Sequence, residues 1–520
     1  MMSSTKISKR NSSVTLFKFE EVLEKLGGFG KFQILILVLL LTLEIPVAFV
    51  TFIPIFVAGK GSWECVSNDE IDPDSQLDIC NCNTSLASSS DDSIVTEWHL
   101  VCEQSWVADF IMSIQMMGMF IGNIYGSQFA DWYGRKTGFL LATLLLALGS
   151  TVSAISPNPY VYAIARFICG CGIPAYINIT CMAAIEFMPP EKRSLSSAVG
   201  PTGEGIMILS ILAYFFRPWR MLYWITVAPF SLIFLIYPFV PESPRWLLRN
   251  GRVDDAYSVL KYMAKVNGSA EVSLETLQAI SDQEQKDRDE TQNGGKRFGY
   301  LQFFRDKQLR TTSLYLMAIW FAWSFTYYGV TYNIKNVQGS IYLNVFLIGL
   351  ANALGQRFAI LINNRLGRRR TLFASMTFCA LFLVALALCE IFVEASDPSL
   401  ILITVIFCLL SQLGMACARS AARLLSGESF PTSVRTMGLG MGGIAANVAG
   451  VVTPQLVYLG SRWPSIPFFT FAIISVCGSL VSFLMTETTG KPLSDNIVAC
   501  ESKNEAKLLN QQLPQDENAK

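Results

Sequence analysis

Histidine and charge are scarce in this sequence. His99 is the single histidine, and Asp, Glu, Lys and Arg together make up 15% of the residues, whereas soluble proteins carry about 25%. One histidine excludes a multi-histidine metal site and a relay of protons between histidines. The formal net charge is zero, so nothing indicates nucleic-acid binding. The sequence has no nucleotide-binding loop, cluster of metal ligands or nucleophile–histidine pairing, so we expect neither an enzyme nor a bound cofactor.

Apolar residues, which make up 52% of the chain, form long runs instead. Each run approaches the ~20 residues with which a helix crosses a bilayer, and backbone groups in lipid are satisfied within helices. The first run is too long for the apolar part of a signal peptide, so we expect it to remain as a span. We predict an all-α polytopic membrane protein with twelve transmembrane helices, at residues 32–58, 106–127, 137–156, 160–181, 196–216, 220–240, 312–332, 340–363, 371–394, 400–424, 437–459 and 465–486.

The polar segments around these runs define the predicted domains. Lys and Arg are concentrated in the loops on one side, and cytoplasmic loops carry this excess, so both termini are predicted to be cytoplasmic. The predicted order is a cytoplasmic N-terminus at 1–31, a six-helix bundle at 32–240 with an extracellular loop at 59–105, a cytoplasmic loop at 241–311, a second six-helix bundle at 312–486 and a cytoplasmic tail at 487–520.

The predicted extracellular loop carries features of a secreted segment. It contains Cys65, Cys80, Cys82 and Cys102, and an even number of cysteines in an oxidising space predicts two disulfides with three possible pairings. Asn83 begins an Asn-Thr-Ser glycosylation sequence in the same loop. Both features favour passage through the secretory route, and we therefore predict a location in the plasma membrane.

Two loops between spans carry related motifs. Residues 126–136 read GSQFADWYGRK, and residues 364–370, after the eighth span, read NRLGRRR. The glycines permit close helix approach and a tight turn, and Asp131 can pair with a cation. The first motif resembles the signature loop of the major facilitator superfamily, and its echo is typical of two parallel six-helix halves. The alternative interpretation is a basic loop that only sets the topology.

Four further segments narrow the resemblance. They are PESPRWL at 241–247, a long cysteine-bearing loop that ends in TEWHLVC at 96–102, GESFPTSVRTMG at 427–438 and TETTGKPL at 486–493. Together they resemble the organic cation, carnitine and organic anion transporter family of that superfamily, and the resemblance covers residues 20–495. It implies a secondary transporter that moves organic ions by alternating access, through uniport, exchange or coupling to protons or sodium.

The resemblance also implies roles for charged residues near the cytoplasmic ends of the spans. A network of salt bridges there would hold the inner side closed and break when the two halves rock apart. Arg166, in the fourth span, is expected to have a structural or coupling role. Fixed pairing that does not change between states is the alternative. The predicted gating and conformational residues are Asp131, Arg135, Arg166, Glu186, Arg193, Glu242, Arg245, Arg368, Glu428 and Arg435.

Charged residues inside the spans predict a substrate cavity, because charge within a membrane is costly and usually faces a cavity or a partner. Arg419 and Arg423 are four residues apart and therefore share one helix face. By counting from the motifs, Asn352 and Asn447 fall where relatives often carry a charged residue. The predicted cavity residues are Gln115, Glu204, Tyr327, Tyr328, Asn352, Arg357, Arg419, Arg423 and Asn447.

These departures favour an organic anion, or a zwitterion with a carboxylate, over an organic cation. Arginine pairs well with carboxylates, and the acidic residues expected in a cation site are absent. Glu44 or Glu204 could meet a cationic group of the substrate, or either glutamate could simply neutralise an arginine.

Two other functions remain open at this point. The first is a sugar or polyol porter of the same fold, and the second is a transporter-like sensor or a non-transporting binding protein. The expected partners are the lipid bilayer, a small organic ion and a coupling ion or exchange solute, with no nucleic acid.

Overall fold

A computed structural model of the chain describes residues 19–59, 63–67, 70–71, 86–88, 93–189, 200–293, 307–337, 339–393, 398–430, 435–460 and 463–488. The chain divides into two compact units. The smaller unit contains the described parts of Met1–Ile36, Ile185–Arg193 and Pro241–Arg297, and the larger unit contains the described parts of Leu37–Ala184, Ser194–Val240 and Phe298–Lys520.

The described helices are numbered α1 to α18 in chain order. Those before residue 240 are α1 (Phe19–Lys25), α2 (Lys31–Phe52), α3 (Pro54–Val57), α4 (Ile94–Glu97), α5 (Trp106–Tyr133), α6 (Arg135–Ile155), α7 (Pro159–Glu186), α8 (Thr202–Phe215) and α9 (Trp219–Ile236). Those after it are α10 (Pro244–Arg249), α11 (Val253–Asn267), α12 (Leu274–Asn293), α13 (Lys307–Asn333), α14 (Ile341–Leu366), α15 (Arg368–Phe392), α16 (Pro398–Ser429), α17 (Arg435–Leu459) and α18 (Ser465–Leu484). Single 3₁₀ turns lie at Cys102–Gln104, Tyr237–Phe239 and Ile334–Asn336.

Within the described residues, ten helical segments are long and apolar enough to cross a membrane. The short apolar helix α8 occupies the fifth predicted span, whose first residues, 196–199, lie outside the described part. The helix α13 occupies the seventh predicted span but is not one of the ten segments. Its tryptophan and tyrosine residues lower its mean hydropathy, although such residues suit a membrane. The structure thus has a helix at each of the twelve predicted spans, and the predicted all-α polytopic fold is confirmed.

The helices form two halves within the larger unit. The first half contains α2 to α9, and the second contains α13 to α18. The halves meet where α5 packs on α17 and where α8 packs on α14. We call the end of this unit at which α5 begins the outer end, because the sequence predicts that it faces the outside.

A row of glycines brings α5 very close to α7. Gly118, Gly122 and Gly126 are spaced by four residues and lie against the backbone of Phe167, Cys171 and Ala175. Any side chain at Gly118 or Gly122 would overlap a carbonyl oxygen of α7. Small residues at such spacing let membrane helices pack through their backbones.

Replacing Gly122 with leucine is expected to separate α5 from α7 and to lower the yield of folded protein. The new side chain would overlap the carbonyl oxygen of Cys171, and overpacking costs about 1–3 kcal/mol or more. The yield can be measured by fluorescence-detected size-exclusion chromatography. Gly427→Leu is the matched control, because a β-carbon at Gly427 meets open space. Equal yields of the two variants would contradict the prediction.

The smaller unit is organised around Asn267 at the end of α11. Its side-chain Oδ1 accepts a hydrogen bond from the backbone N–H of Phe32 (2.9 Å). Its Nδ2 donates to the carbonyl of Leu26 (2.8 Å) and to Oε1 of Gln33 (3.0 Å). One amide therefore links the segment after α1, the start of α2 and the end of α11.

The predicted extracellular loop contains a small antiparallel sheet. Its strands are β1 (Trp63–Ser67), β2 (Glu70–Ile71) and β3 (Leu86–Ser88), in the order β2-β1-β3. The backbone of Cys65 pairs with Leu86 in the sheet. Cys102 is disulfide-bonded. Cys80, Cys82, Asn83 and the Cys65 side chain lie outside the described residues, so the disulfide pairing and the glycosylation stay predictions.

Candidate functional site

Two of the predicted cavity residues neutralise each other across the halves. Arg357 of α14 forms an ion pair with Glu204 of α8, and its Nη1 also donates to the carbonyl of Ala353 (2.7 Å). The alternative in which Glu204 neutralises an arginine is therefore the arrangement in this structure. The pair adds no net charge to the interior of the bundle.

Arg419 of α16 differs from Arg357 because it lacks such a partner. Its side chain is half-buried, and among the residues that the structure describes none forms a hydrogen bond or ion pair with its guanidinium. Arg423, Tyr327, Tyr328 and Glu44 lie near it. A guanidinium in such a position can pair with a carboxylate.

Glu44 of α2 lies on the opposite half from Arg419. Its carboxylate accepts a hydrogen bond from the Thr180 hydroxyl (3.0 Å). Arg419 and Arg423 both lie near enough to interact with its charge. The sequence predicted that Glu44 could face a cationic group or an arginine, and the structure brings it near these two arginines.

Aromatic residues of α13 form a wall beside Arg419. The rings of Trp323 and Tyr327 stack with centroids 5.0 Å apart, and the rings of Tyr327 and Tyr328 meet edge to face at 5.2 Å. Tyr328 is half-buried, whereas Tyr327 is buried and its hydroxyl has no hydrogen-bond partner in the described part of the chain. This wall suits an apolar or aromatic substrate body.

Amides occupy the two positions at which relatives often carry charge. Asn352 of α14 is buried and donates from Nδ2 to the carbonyl of Ile348 (3.0 Å), while its Oδ1 lacks a partner in the described chain. Asn447 of α17 donates from Nδ2 to the carbonyl of Met119 in α5 (3.3 Å). Asn447 therefore joins the halves, and Asn352 retains an acceptor that is not used.

Arg166 and Gln115 form one buried group. Arg166 has no exposed surface, and its Nε and Nη2 donate to Oε1 of Gln115 (3.1 and 2.5 Å). Its Nη2 also donates to the carbonyl of Val50 (2.5 Å), and Gln115 donates to the carbonyl of Thr51 (3.3 Å). Gln115, predicted to line the cavity, is thus the main acceptor of a buried guanidinium.

Apart from Arg166, the predicted gating residues of the larger unit whose side chains are described form ion pairs near the end opposite the outer end. Arg135 forms an ion pair with Asp131 (2.5 Å) within the first half, and Arg368 forms one with Glu428 (3.2 Å) within the second. Thr488 donates a further hydrogen bond to Glu428 (2.5 Å). Their role in gating stays a prediction.

The other predicted gating residues lie in the smaller unit or outside the description. Arg245 forms ion pairs with Glu20 (3.4 Å) and Glu284 (3.8 Å). Glu186 is buried, and Glu242 accepts a hydrogen bond from the N–H of Ser243 (2.9 Å). Arg193 and the side chain of Arg435 lie outside the described residues.

A buried ion pair at the outer end was not predicted. Lys335, in the turn after α13, donates from Nζ to Oδ1 of Asp109 in the first turn of α5 (2.6 Å). The two side chains are 5% and 7% exposed. The signal in the sequence is a single charge near the edge of each of two apolar runs, and Lys335 lies between the predicted spans 312–332 and 340–363.

Further contacts join the halves around this pair. The rings of Phe56 and Tyr342 stack with centroids 5.8 Å apart. Gln455 of α17 donates from Nε2 to the hydroxyl of Ser113 in α5 (3.1 Å). The structure is therefore one in which the two halves are joined at the outer end.

Comparison with known proteins assigns the family. Residues 76–496 match the sugar (and other) transporter family. Solute carrier family 22 member 6 of Mus musculus is 32% identical over 433 residues, which cover 81% of this chain and 76% of the mouse protein. The chain belongs to solute carrier family 22, in the major facilitator superfamily.

Relatives in solute carrier family 22 carry names of two kinds. The organic cation transporter-like protein of Drosophila melanogaster is 27% identical and covers 92% of each chain. Organic anion transporter 3 of Rattus norvegicus is 28% identical over 92% of this chain and 94% of the rat protein. The family predicted from the motifs is confirmed. These relatives are transporters rather than enzymes, so a small-molecule substrate and the bilayer are the partners that membership implies.

Solved structures share the fold of this solute carrier. The xylose transporter XylE from E. coli, in an inward open conformation, superposes with a TM-score of 0.64 at 17% identity, over 88% of this chain and 98% of XylE. XylE bound to 6-bromo-6-deoxy-D-glucose gives 0.65 at 16% identity, over 91% and 99% of the two chains. The major facilitator fold is therefore confirmed, and at this identity the likeness extends to the fold alone.

Proposed function

We propose that this protein is a secondary transporter that moves small organic anions, or zwitterions with a carboxylate, across the membrane by alternating access. The observation that carries this proposal is Arg419, a half-buried guanidinium in a spanning helix with no hydrogen-bond or ion-pair partner among the described residues. Its membership of a family with relatives named for organic anions and organic cations supports an organic ion as substrate.

The balance of charge in the middle of the spans supports an anion over a cation. Four arginines and two glutamates lie there, which is a formal excess of two positive charges; they are Arg166, Arg357, Arg419, Arg423, Glu44 and Glu204. The pair of Arg357 with Glu204 leaves this excess unchanged. An interior of positive charge attracts anions and repels cations.

The same proposal includes the membrane location, the topology and the driving force of the transporter. The plasma membrane, the cytoplasmic termini and the domain boundaries remain as the sequence predicts them. The driving force would be a gradient of protons, sodium or an exchanged solute. A gating role for the ion pairs of Asp131 and Arg368 belongs to this proposal as well.

Uptake into proteoliposomes is the test of this function. We would compare labelled hippurate, an aromatic carboxylate, with tetraethylammonium and carnitine, at several pH values and sodium concentrations. We expect uptake of hippurate or carnitine to exceed that of tetraethylammonium. A sugar that is taken up without competition from organic ions would instead support a sugar porter.

Replacing Arg419 with alanine is expected to reduce hippurate uptake about tenfold or more, because a hydrogen bond to a charged group contributes about 1.5–3 kcal/mol. Arg419→Lys keeps the charge but loses the planar fork, so it should retain part of the uptake. Arg365, exposed at the end of α14, offers a control in Arg365→Ala, with expected uptake like the wild type. Transport of cations alone that survives Arg419→Ala would overturn the proposal.

A further inference from the structure

The helix α8 begins inside a predicted span rather than at its end. The fifth span was predicted at 196–216, yet α8 starts at Thr202, directly after Gly200 and Pro201. Proline has no N–H and does not continue a preceding helix. The structure therefore has a helix start within the apolar part of the chain, where helix starts are rare and have been used by transporters to bind anionic groups.

The first turn of α8 carries backbone N–H groups that have no carbonyl partner within the helix itself. Pro201 is the N-cap residue and makes no side-chain cap, so no side chain of its own satisfies the N–H groups at this helix start. These donors and the positive end of the helix dipole favour an anion. The carboxylate of Glu204 in this turn is engaged by Arg357, which offsets its charge.

Two side chains from the second half converge on the same point. A β-carbon built on Gly200 would lie 3.5 Å from Nη2 of Arg419, 3.9 Å from Oε1 of Gln356 and 4.0 Å from Oγ1 of Thr202. The absent side chain of Gly200 thus leaves a small space between an arginine, an amide and a hydroxyl. All three groups can donate a hydrogen bond to a carboxylate.

Gln356 is the independent sign that a ligand belongs in this space. Its side chain is 4% exposed, and its Nε2 has no hydrogen-bond partner in the described part of the chain. A buried amide without a partner costs free energy unless something else bonds to it. A half-turn of the amide exchanges Oε1 and Nε2, so the donor can point to the space beside Gly200.

We propose that the helix start after Gly200 and Pro201, with Arg419 and Gln356, is the subsite for the carboxylate of the transported anion. This inference rests on the proposed function and assigns the binding of the charged group to α8. One carboxylate oxygen bonds to Arg419, and the other bonds to the N–H groups at the start of α8 and to Gln356. The rings of Tyr327 and Tyr328 lie beside the same guanidinium, so the class of substrate is a carboxylate with an apolar or aromatic body.

Gly200→Ala tests the subsite because it fills the space without removing a charge. The new methyl group would meet its neighbours at ordinary contact distances, from 3.5 Å, so folding is expected to be unaffected. Gly427→Ala adds the same methyl group in open space and is the matched control. We would measure hippurate binding to each purified full-length protein by calorimetry. We expect binding to weaken about tenfold or more in Gly200→Ala and to stay unchanged in Gly427→Ala.

Gln356→Leu keeps the size of a buried side chain and removes only its polar atoms, so it provides a second measurement. It should also weaken hippurate binding, and the monomer peak in size-exclusion chromatography would verify its fold. If the wild type binds hippurate and Gly200→Ala and Gln356→Leu bind it equally well, the subsite is wrong while the proposed function stands. If the wild type moves tetraethylammonium and neither binds nor moves hippurate, the proposed function fails and the subsite fails with it.

Discussion

Replacing Asp109 with asparagine is expected to shift the protein away from the state in which its halves are joined at the outer end. The variant leaves the ammonium of Lys335 buried without its carboxylate, and removal of one partner of a buried ion pair costs about 3–5 kcal/mol. If the pair separates and Lys335 is hydrated when the outer end opens, this cost falls mainly on the joined state. The ratio of the two states should then change on the order of a hundredfold.

A cysteine at Ser113 would report this shift. Ser113 is 6% exposed and bonds to Gln455 across the halves, so a thiol there should react with a membrane-impermeant reagent only when the outer end opens. We would compare labelling rates of Ser113→Cys with and without Asp109→Asn, and subtract the labelling of proteins that lack the added cysteine. Asp109→Asn is expected to raise the rate strongly.

An ion pair within one half provides the control for Asp109. Arg220 at the start of α9 pairs with Glu97 of α4 (2.5 Å), and both residues belong to the first half. Glu97→Gln should therefore leave the labelling rate unchanged, because this pair need not separate when the halves move. The double exchange of Asp109→Lys with Lys335→Asp should restore slow labelling. Rates that do not differ between Asp109→Asn and the wild type would show that the pair does not hold the outer end.

The fold could be predicted from the sequence because its signals are local. A run of apolar residues identifies a span without knowledge of its neighbours, and the GSQFADWYGRK motif identifies the superfamily from one loop. The weakest span by hydropathy, α13, is also the one whose aromatic side chains form the wall beside Arg419. The aromatic residues of α13 suit a membrane although they lower its mean hydropathy, so they indicate a span where the hydropathy alone does not.

The partners of the charges within the spans could not be predicted in the same way. Glu204 and Arg357 are 153 residues apart, and their pairing depends on how α8 and α14 are rotated where the halves meet. The sequence left open whether a glutamate neutralises an arginine, and the structure assigns Glu204 to Arg357 and no ion-pair partner to Arg419 among the described residues. Helical spacing fixes which residues share a face, but not which helix that face meets.

Gln356 is a second residue whose surroundings could not be predicted from the sequence. It lies four residues after Asn352 and so shares its face of α14, but an uncharged amide in an apolar run gave no reason to select it. Its significance comes from a buried Nε2 that has no partner among the described residues, which is a property of the fold rather than of the sequence. Gly200 is likewise one of 36 glycines in the sequence, and nothing in the sequence distinguishes it. In the structure, the space that a side chain at Gly200 would fill lies beside Arg419.

Substitutions at Gln115 can distinguish a structural role of this residue from a role in the substrate cavity. Replacing it with leucine is expected to lower the stability of the folded protein by about 3 kcal/mol or more, because the buried guanidinium of Arg166 loses the acceptor of two hydrogen bonds. Thermal unfolding of the purified protein, followed by its intrinsic fluorescence, would measure the loss. Gln115→Glu keeps the acceptor and adds an opposite charge, which should offset the loss of the hydrogen bond to the Thr51 carbonyl, so it should unfold near the wild-type temperature.

The double variant with Arg166→Leu and Gln115→Leu decides between the two roles. It removes the charge together with its acceptor, and replacement of both buried partners by apolar side chains is often close to neutral, so most of the stability lost in Gln115→Leu should return. A residue that lined the cavity would behave differently. Gln115→Leu would then raise the KM for the substrate at unchanged unfolding temperature, and Arg166→Leu would not compensate for it. That result would return Gln115 to the substrate cavity, as the sequence predicted.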